Sequence, residues 1–383
     1  IWWDESNYNS ESNESGHIER ITLCVSNDCN LRCKYCYAGG GNYGMQRTLL
    51  TKEDASRFIE FCCNHYTKID KIMFFGGEPL LNHRIISFIC DRFKEKADKR
   101  VFPLPIFTII TNGTISTPEV MNTIKEHISH VTVSIDGPKR INDANRVFSN
   151  GDGSYDKIAY FIKQCRQIPS LSIHYEATYN QEHINMGISK QEVRKHLNAA
   201  FGIQGIIADE DSWGHDSVLK ELDSITRESL IQSDFDCLPI DFWQIVDIIA
   251  LKKYHHFCGL YKDRFAVSSN GDILPCQMFL GSDNGIVSSI HNDNAGEEIN
   301  SHIHDFKNNN MCQRCWCFKI CGGCPIDKFY TKDKKFHHLP DSESCRHTKE
   351  CIEKCLILLY MIYTDSELKP LFLRSLKATT RIF

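Results

Sequence analysis

Residues 19–36, ERITLCVSNDCNLRCKYC, place a β-strand directly before a loop with three closely spaced cysteines. ERITLCVS (19–26) has the apolar and β-branched character that is typical of a strand. The loop that follows carries Cys29, Cys33 and Cys36, separated by three residues and then by two. Cys24 lies inside the strand, where its spacing favours packing over metal binding. The stretch therefore predicts a strand whose carboxyl end holds a site built from thiols.

Strand and helix signals alternate from this strand to about residue 200. Strands are predicted at 70–75, 105–113, 130–137 and 171–179, and helices between them at 51–66, 83–96, 117–128 and 154–167. Such alternation predicts right-handed parallel βα units, which close into a full or partial barrel or stay an open sheet.

The helix starts carry capping signals. Thr51, Thr117 and Ser154 are predicted N-caps, with Asp54 completing a capping box and Pro118 at the first helical position.

Each strand ends in polar or glycine-rich sequence. After the cysteine loop come GGEP (76–79), TNG (111–113) and SIDG (134–137). Because parallel strands build their sites at the carboxyl edge of the sheet, we expect these four segments to converge on a single site.

Composition narrows the class of protein. The 383 residues carry a formal net charge of −5, which argues against a broad nucleic-acid or anionic-membrane surface. No apolar run is long enough to span a bilayer, and nothing at the start is typical of a signal peptide, so we predict a cytoplasmic protein without membrane contact. The chain begins at Ile1 rather than Met, and we expect that an N-terminal piece, such as a leader-binding element, is missing.

Cysteine is the unusual residue, with 19 in the chain. In a large chain in a reducing compartment, clustered thiols are more often metal ligands than disulfides. Cys62, Cys63, Cys90 and Cys165 lie in helical patterns instead, and we predict that they are small buried hydrophobic residues.

The spacing of Cys29, Cys33 and Cys36 leaves two kinds of site open. A structural zinc site needs a fourth nearby ligand because it is a closed tetrahedron. An iron–sulfur cluster with three protein ligands would keep one iron available for a substrate or cofactor.

The motif CNLRCKYC resembles the signature of radical S-adenosylmethionine (radical SAM) enzymes, and FGGEP (75–79) resembles their second motif. The resemblance covers about residues 20–200 and implies a partial (β/α)6 TIM-like barrel of the α/β class. It also implies that the three cysteines bind a [4Fe–4S] cluster with SAM on the open iron. By the same resemblance, the SAM contacts come from Tyr35 at the adenine, Gly76, Gly77 and Glu78 at the amino group, Asn112 and Ser134 near the ribose, and Arg146 at the carboxylate.

A second cysteine array follows residue 257. Its spacing is Cys258, Gly271, Cys276, then CQRCWCFKICGGC (312–324), then Cys345. Zinc ribbons also use such CxxC pairs, but the ordered array with its glycine turn resembles a SPASM domain, which carries two auxiliary clusters. That resemblance implies an outer cluster on Cys312, Cys315, Cys321 and Cys345, and an inner cluster on Cys258, Cys276 and Cys324, giving three [4Fe–4S] clusters in all.

The array departs from the family pattern at two points. CGGC (321–324) has two intervening residues where three are commoner, and no further cysteine follows Cys258 closely. Unless Cys317, Cys237, Cys351 or Cys355 supplies the fourth ligand, the inner cluster keeps an open iron. We hypothesise that this iron binds a substrate thiolate.

The segments YAGGGNYG (37–44) and RTLLT (47–51) resemble peptide maturases that form thioether crosslinks in ribosomal precursor peptides. The implied partners are a precursor peptide with its leader and a reductant such as flavodoxin or ferredoxin. An anaerobic formylglycine-forming enzyme, a C–C crosslinking enzyme and an iron–sulfur electron carrier are the alternatives. The sequence leaves open whether Asp136, Glu176 or another carboxylate acts as a base.

We divide the chain into four parts: a tail or linker at 1–17, the partial barrel at 18–236, the cysteine-rich SPASM-like domain at 237–360 and a helical segment at 361–383.

Overall fold

The structure, a computed structural model, describes residues 16–210, 216–232, 235, 238–251, 263–282, 285–302, 310–321, 324 and 340–378. Within them one mixed sheet contains nine strands: β1 (His17–Ser26), β2 (Lys68–Gly76), β3 (Ile106–Thr111), β4 (His130–Ser134), β5 (Ser172–Tyr179), β6 (Gln204–Asp209), β7 (Arg264–Val267), β8 (Asp272–Leu274) and β9 (Ser288–Ser289).

The sheet confirms the predicted α/β class and the partial barrel. Its order is β6-β5-β4-β3-β2-β1-β7-β8-β9, and each of β1 to β6 pairs in parallel with the next. β7 adds in parallel to the free side of β1, and β8 and β9 continue antiparallel. Among the described strands β6 and β9 are the two edges, so the six parallel strands form an open, partial barrel.

Helices connect these strands and form most of the described C-terminal region. They are α1 (Lys52–His65), α2 (His83–Asp98), α3 (Pro118–His127), α4 (Lys139–Asn145), α5 (Tyr155–Cys165), α6 (Gln181–Asn185), α7 (Lys190–Phe201), α8 (Asp216–Asp223), α9 (Arg227–Gln232), α10 (Ile240–Leu251), α11 (Ala295–His302), α12 (Asn310–Gln313), α13 (Ser342–Thr364) and α14 (Leu368–Ala378). Short 3-10 helices occupy Pro79–Asn82 and Gln277–Phe279. Among the described residues, no helix is long and apolar enough to cross a membrane.

Side chains alternate between the two faces of each strand, and those on the outer face pack with the helices to form the main core. Residues such as Leu23, Phe74 and Val133 face outward onto the helices, where they meet Phe58 and Phe161. Cys62, Cys90 and Cys165 are buried in this core, as predicted, whereas Cys63 is only partly buried against it.

The structure confirms two of the predicted N-caps and contradicts the third. Thr51 accepts from the backbone N–H of Asp54 at 3.0 Å, but the Asp54 carboxylate bonds the Thr51 hydroxyl rather than completing a capping box. Thr117 caps α3 as predicted, with Pro118 at the first position. The Ser154 prediction was wrong: its hydroxyl donates to the Arg146 carbonyl at 2.7 Å.

A second apolar cluster, the C-terminal core, joins α8, α9, α10, α13 and α14. Leu222, Leu230, Phe242, Leu358 and Phe372 are buried in it. Two elements cross the boundaries drawn from sequence: β7 extends the barrel sheet beyond residue 236, and α13 runs over residue 360. The four-part division therefore stays a prediction.

We predict that Asp365 stabilises the docking of α14 on α9. Its carboxylate accepts from Arg227 Nε at 2.7 Å and from the backbone N–H groups of Glu367 and Leu368. The bond from Arg227, with the two backbone bonds, lowers the pKa of Asp365 from 3.8 to about 2. A lowered pKa gives stability that is present above pH 3.8 and lost as the pH falls toward 2.

Asp365→Asn should therefore lower the Tm at neutral pH, and its difference from the wild type should shrink on acidification. Thermal unfolding followed by circular dichroism measures this, with Asp98→Asn at the exposed end of α2 as the matched control. A Tm difference that is the same at pH 3 and pH 7 would contradict the assignment.

Candidate functional site

The predicted strand-end segments lie at one edge of the barrel sheet, as expected for parallel strands. The cysteine loop follows β1 there, and its three cysteines are half-buried. Arg32 Nη1 donates to the Cys29 and Leu31 carbonyls at 2.6 Å each, which folds the loop back on itself. Cys29, Cys33 and Cys36 are thus held on one ordered turn of chain.

Two glycines let backbone press directly against this loop. A Cβ atom on Gly77 would lie 2.3 Å from the Asp28 carbonyl oxygen, and one on Gly41 would lie 2.4 Å from Cys29 Cβ. Gly41 also has φ +94°, which disfavours any other residue. The backbone bonds Gly77 N–H to Ser26 O and Glu78 N–H to Asp28 O, both 2.8 Å, fix the contact.

Glu78 in GGEP is fully buried, with 0% of its surface exposed. One carboxylate oxygen accepts from Leu80 N at 2.9 Å and from the Thr111 hydroxyl at 2.7 Å, and the other accepts from Asn112 N at 2.8 Å. Burial raises the pKa of Glu78 to about 7, against the opposing effect of these three bonds. The carboxylate therefore ties the end of β2 to the end of β3, and its predicted contact with SAM stays a prediction.

Asn112 connects the same strand end to the cysteine loop. Its Nδ2 donates to Asn30 Oδ1 at 2.9 Å and approaches Cys29 Sγ at 3.7 Å, while its Oδ1 accepts from the Thr114 hydroxyl at 2.7 Å. The Leu31 N–H also approaches Cys29 Sγ, at 3.4 Å. Hydrogen bonds of this kind orient and tune a cluster thiolate.

A buried ion pair lies beneath the loop at the end of β4. Arg146 is 7% exposed, and its Nε and Nη2 both reach Asp136 Oδ1 at 3.0 Å. The Tyr35 hydroxyl donates to Asp136 Oδ2 at 2.6 Å, and the guanidinium lies 5.3 Å from the Tyr35 ring centre. Burial is the largest single effect and disfavours the charge of Arg146, but Asp136, with smaller effects of Tyr35 and Cys33, together raises the pKa of the guanidinium above its ordinary value.

Ser134 is the remaining predicted SAM contact. It ends β4 and lies in register with Glu176 on β5, and both residues are half-buried. The structure therefore brings Tyr35, Gly76, Gly77, Glu78, Asn112, Ser134 and Arg146 to the same edge as the three cysteines.

The donor set suits an iron–sulfur cluster better than a single metal ion. Within the described ranges, no three His, Cys, Asp or Glu side chains are arranged to hold one metal ion. A cluster does not need such convergence, because its thiolates bind different irons. Burial, with a smaller effect of Glu78, raises the pKa of Cys29 to about 12, and burial raises that of Cys33 to about 11, so cluster binding would displace their protons.

A small apolar group, the bridging cluster, joins the cysteine loop to the C-terminal strands. It consists of Cys24, Ala38, Tyr43, Ala266, Leu274, Phe279 and Leu280. Cys36 from the first array and Cys276 from the second both pack against it. The structure thus places one predicted ligand of the SAM cluster and one of the inner auxiliary cluster on the same apolar group.

The rest of the second array is described in part. Cys317 is 2% exposed, its Sγ lies 3.4 Å from Cys315 Sγ, and it also bonds Cys321. Cys317, Cys351 and Cys355 are buried in the C-terminal core, not in the bridging cluster that holds Cys276. Cys312 and Cys345 are half-buried and Cys324 is exposed.

Cys258 and Cys237 lie outside the described residues, so their predicted or alternative roles as ligands stay predictions.

Sequence reasoning missed Tyr43. Its ring is buried in the bridging cluster, its hydroxyl donates to the Gly76 carbonyl at 3.1 Å, and its φ of +55° is rare for a tyrosine. The only sequence signal was its place in a glycine-rich segment, GGGNYG (39–44), which indicates a turn but not a buried aromatic anchor.

Comparison with known families agrees with this geometry. Residues 23–174, which begin in β1 and end in β5, match the Radical SAM superfamily. The chain carries a radical SAM domain. A radical SAM domain implies a [4Fe–4S] cluster and SAM as cofactors, and the recognition of this domain from CNLRCKYC and FGGEP is confirmed.

Two curated relatives extend the comparison. The radical SAM cyclopropyl synthase TigE of Paramaledivibacter caminithermalis is 31% identical over 150 residues, which is 36% of this chain and only 30% of that relative's length. The cysteine-type anaerobic sulfatase-maturating enzyme of Clostridium novyi is 24% identical over 347 residues, 79% of this chain and 87% of the relative.

Two solved structures share the radical SAM fold. Native anSMEcpe with bound AdoMet superposes with a TM-score of 0.69 at 17% identity and covers 90% of this chain and 98% of its own. SuiB of Streptococcus suis bound to precursor peptide SuiA has a TM-score of 0.56 at 16% identity and covers 86% and 76%.

We predict that the free energy of unfolding depends on pH because Glu78 is buried. Its folded pKa of about 7 lies above the ordinary 4.5, so its protonated form contributes stability that is fully present below pH 4.5 and lost as the pH rises through 7. The advantage of the wild type over Glu78→Gln in the free energy of unfolding should fall by roughly 3 kcal/mol between pH 4.5 and pH 8.

Urea unfolding at several pH values measures this difference. Glu126→Gln on the exposed surface of α3 is the control and should show no such trend. A difference between wild type and Glu78→Gln that is constant over this range would mean that the carboxylate is ionised in the fold throughout.

Proposed function

We propose that the chain is a peptide maturase that joins a cysteine sulfur to a carbon of another residue in a ribosomal precursor peptide. The observation that carries this proposal is the bridging cluster, against which Cys36 and Cys276 both pack. A radical generated at the first array would form beside a second thiol-rich site. That arrangement suits a reaction that couples C–H cleavage to bonding of a held sulfur.

In this proposal Cys29, Cys33 and Cys36 hold a [4Fe–4S] cluster, and SAM lies against Tyr35, Gly76, Gly77, Glu78, Asn112, Ser134 and Arg146. A [4Fe–4S] cluster held by these thiols would supply the single electron for reductive cleavage of SAM, the chemistry that gives access to hydrogen on an unactivated carbon.

The protein residues position the cofactor and exclude water. Asp136 holds Arg146 through Nε and Nη2, so Nη1, which has no hydrogen bond among the described residues, is available to a carboxylate. Tyr35 is fixed by the same Asp136. Gly76 lets the end of β2 lie against the end of β1, because a Cβ there would be 2.1 Å from Ser26 O.

We propose two auxiliary clusters in the second array, an outer one on Cys312, Cys315, Cys321 and Cys345 and an inner one on Cys258, Cys276 and Cys324. The packing of Cys317, Cys351 and Cys355 in the C-terminal core, apart from Cys276, supports an inner cluster without a fourth protein ligand among these three. An open iron there would keep a substrate thiol deprotonated and near the radical.

The partners we propose are a precursor peptide with its leader and a cytoplasmic reductant such as flavodoxin or ferredoxin. Binding of SuiA by SuiB, a protein of the same fold, supports a peptide substrate. The four-part domain division drawn from the sequence belongs to this proposal as well.

We predict that the purified protein, with its clusters reconstituted anaerobically, cleaves SAM when reduced. Cys33→Ser should lose the iron of one cluster and all detectable 5′-deoxyadenosine, because only three thiols hold that cluster. Cys63→Ser, a half-buried thiol on α1, is the matched control and should keep both. Chromatography and iron analysis measure the outcome, and a wild type that forms no 5′-deoxyadenosine would leave an iron–sulfur electron carrier as the better assignment.

We predict a thioether product from a pool of synthetic peptides that each contain one cysteine. Each crosslink should remove two hydrogen atoms and protect one thiol from alkylation, which tandem mass spectrometry detects. A product that loses two hydrogens but keeps a free thiol would indicate C–C crosslinking instead.

The formylglycine-forming alternative is favoured by one observation, the 79% coverage of this chain by a sulfatase-maturating relative. The same peptide pool separates the two reactions. Replacement of the cysteine sulfur by an aldehyde oxygen would assign the chain to that class and overturn the thioether proposal.

A further inference from the structure

Two carboxylates at the site edge, Asp136 and Glu176, differ in how they are engaged. Asp136 is 0% exposed, and its oxygens bind Arg146, the Tyr35 hydroxyl and the Thr178 backbone N–H. These contacts hold the Asp136 carboxylate in place between Arg146 and Tyr35, so its role is to position these two side chains.

Glu176 faces the inside of the partial barrel. Its neighbours Tyr175 and Ala177 are buried in the main core between sheet and helices, so the alternation of β5 points Glu176 to the opposite, inner face. It lies level with Ser134 on β4 and Ile206 on β6. It is half-buried, and in the part of the chain that the structure describes no hydrogen bond or ion pair engages its carboxylate.

The charges around Glu176 are few. Burial raises the pKa of Glu176, and the Arg146 guanidinium lowers it in part. Among the described residues, the Tyr37 phenol, directly after the third cysteine, also interacts with Glu176. His174 lies two residues before Glu176 on the same face of β5. The Tyr37 ring packs edge-on against Tyr43 of the bridging cluster, with ring centres 5.9 Å apart, so the Tyr37 phenol links Glu176 to that cluster.

We propose that Glu176 is the base that accepts the thiol proton of the substrate cysteine. This assignment rests on the proposed thioether function. In the balanced step the substrate carbon, already a radical after loss of hydrogen to the 5′-deoxyadenosyl radical, bonds to sulfur. The Glu176 carboxylate takes the S–H proton as the sulfur becomes the thiolate that an open iron would hold. The one electron released when this thiolate bonds to the carbon radical would pass to a one-electron oxidant, an oxidised iron–sulfur cluster of the second array.

The test compares Glu176→Gln with Glu126→Gln, a control on the exposed face of α3, in the reconstituted protein. The probe is the set of cysteine peptides that the wild type crosslinks. Glu176→Gln should keep SAM binding, iron content and 5′-deoxyadenosine formation but lower thioether formation by about 10²–10⁴-fold, the range typical of a general base. The acid limb of the wild-type pH–rate profile, where the base becomes protonated, should be absent in Glu176→Gln and kept in Glu176→Asp.

Each result supports or overturns the assignment. Equal loss of 5′-deoxyadenosine and thioether in Glu176→Gln would place Glu176 among the SAM-binding groups, and an unchanged thioether rate would exclude it as the base. Failure of the wild type to make thioether would count against the proposed function itself. If the wild type formed formylglycine instead, and Glu176→Gln lost that product while Glu126→Gln kept it, Glu176 would remain the base of a different reaction.

A second measurement does not need a peptide that turns over. Coupling of glycinamide to carboxyl groups with a carbodiimide should modify Glu176 and spare Asp136 and Glu78, which are 0% exposed. Mass spectrometry locates the label, and a Glu176 that resists labelling would contradict the accessibility that a base for a substrate thiol needs.

Discussion

The site depends on backbone packed against backbone where β2 ends beneath the cysteine loop. Gly77 lies so close to Asp28, and Gly41 to Cys29, that a single added carbon at either position would overlap the loop. Close packing of this kind cannot relax without moving the loop, because the Gly77 and Glu78 N–H groups are already bonded to its carbonyls. The geometry of the three cysteines is therefore fixed by residues with no side chain to contribute.

The same constraint explains why a carboxylate is buried beside predicted cluster ligands. Once the end of β2 is pressed against the loop, Glu78 has no route to solvent, and it is accommodated by donors from Leu80, Thr111 and Asn112. These donors order the end of β3, which in turn places the Asn112 amide on Cys29. The hydrogen bonds that compensate for the desolvation of Glu78 thus order the ends of β2 and β3 and the surroundings of the Cys29 thiol.

The sequence predicted the alternating strands and helices of the barrel. The strands and helices up to β5 follow from periodicity, because each helix must bury one face on a sheet whose strands alternate. It could not tell which polar group at a helix start caps the helix and which bonds elsewhere: Ser154 donates to Arg146 O, and the Tyr155 N–H donates to Asp143 instead. Both arrangements satisfy the same backbone groups, and only tertiary contacts choose between them.

The thiols of the second array show that sequence spacing also fails to predict which cysteines pack together. The spacing leaves Cys317 as a candidate fourth ligand beside Cys276, yet the two thiols pack in different apolar clusters. On one side the contact is tight: a Cβ on Gly281 would lie 2.0 Å from the Tyr43 carbonyl oxygen, so the turn after Cys276 rests directly on the segment after Cys36. In the proposed inner cluster, a thiol of the C-terminal core that joined Cys276 would have to leave its apolar neighbours, at a cost of roughly 25 cal/mol for each Å² of apolar surface exposed. Packing, rather than the count of cysteines, therefore limits which sulfurs can meet at the inner site.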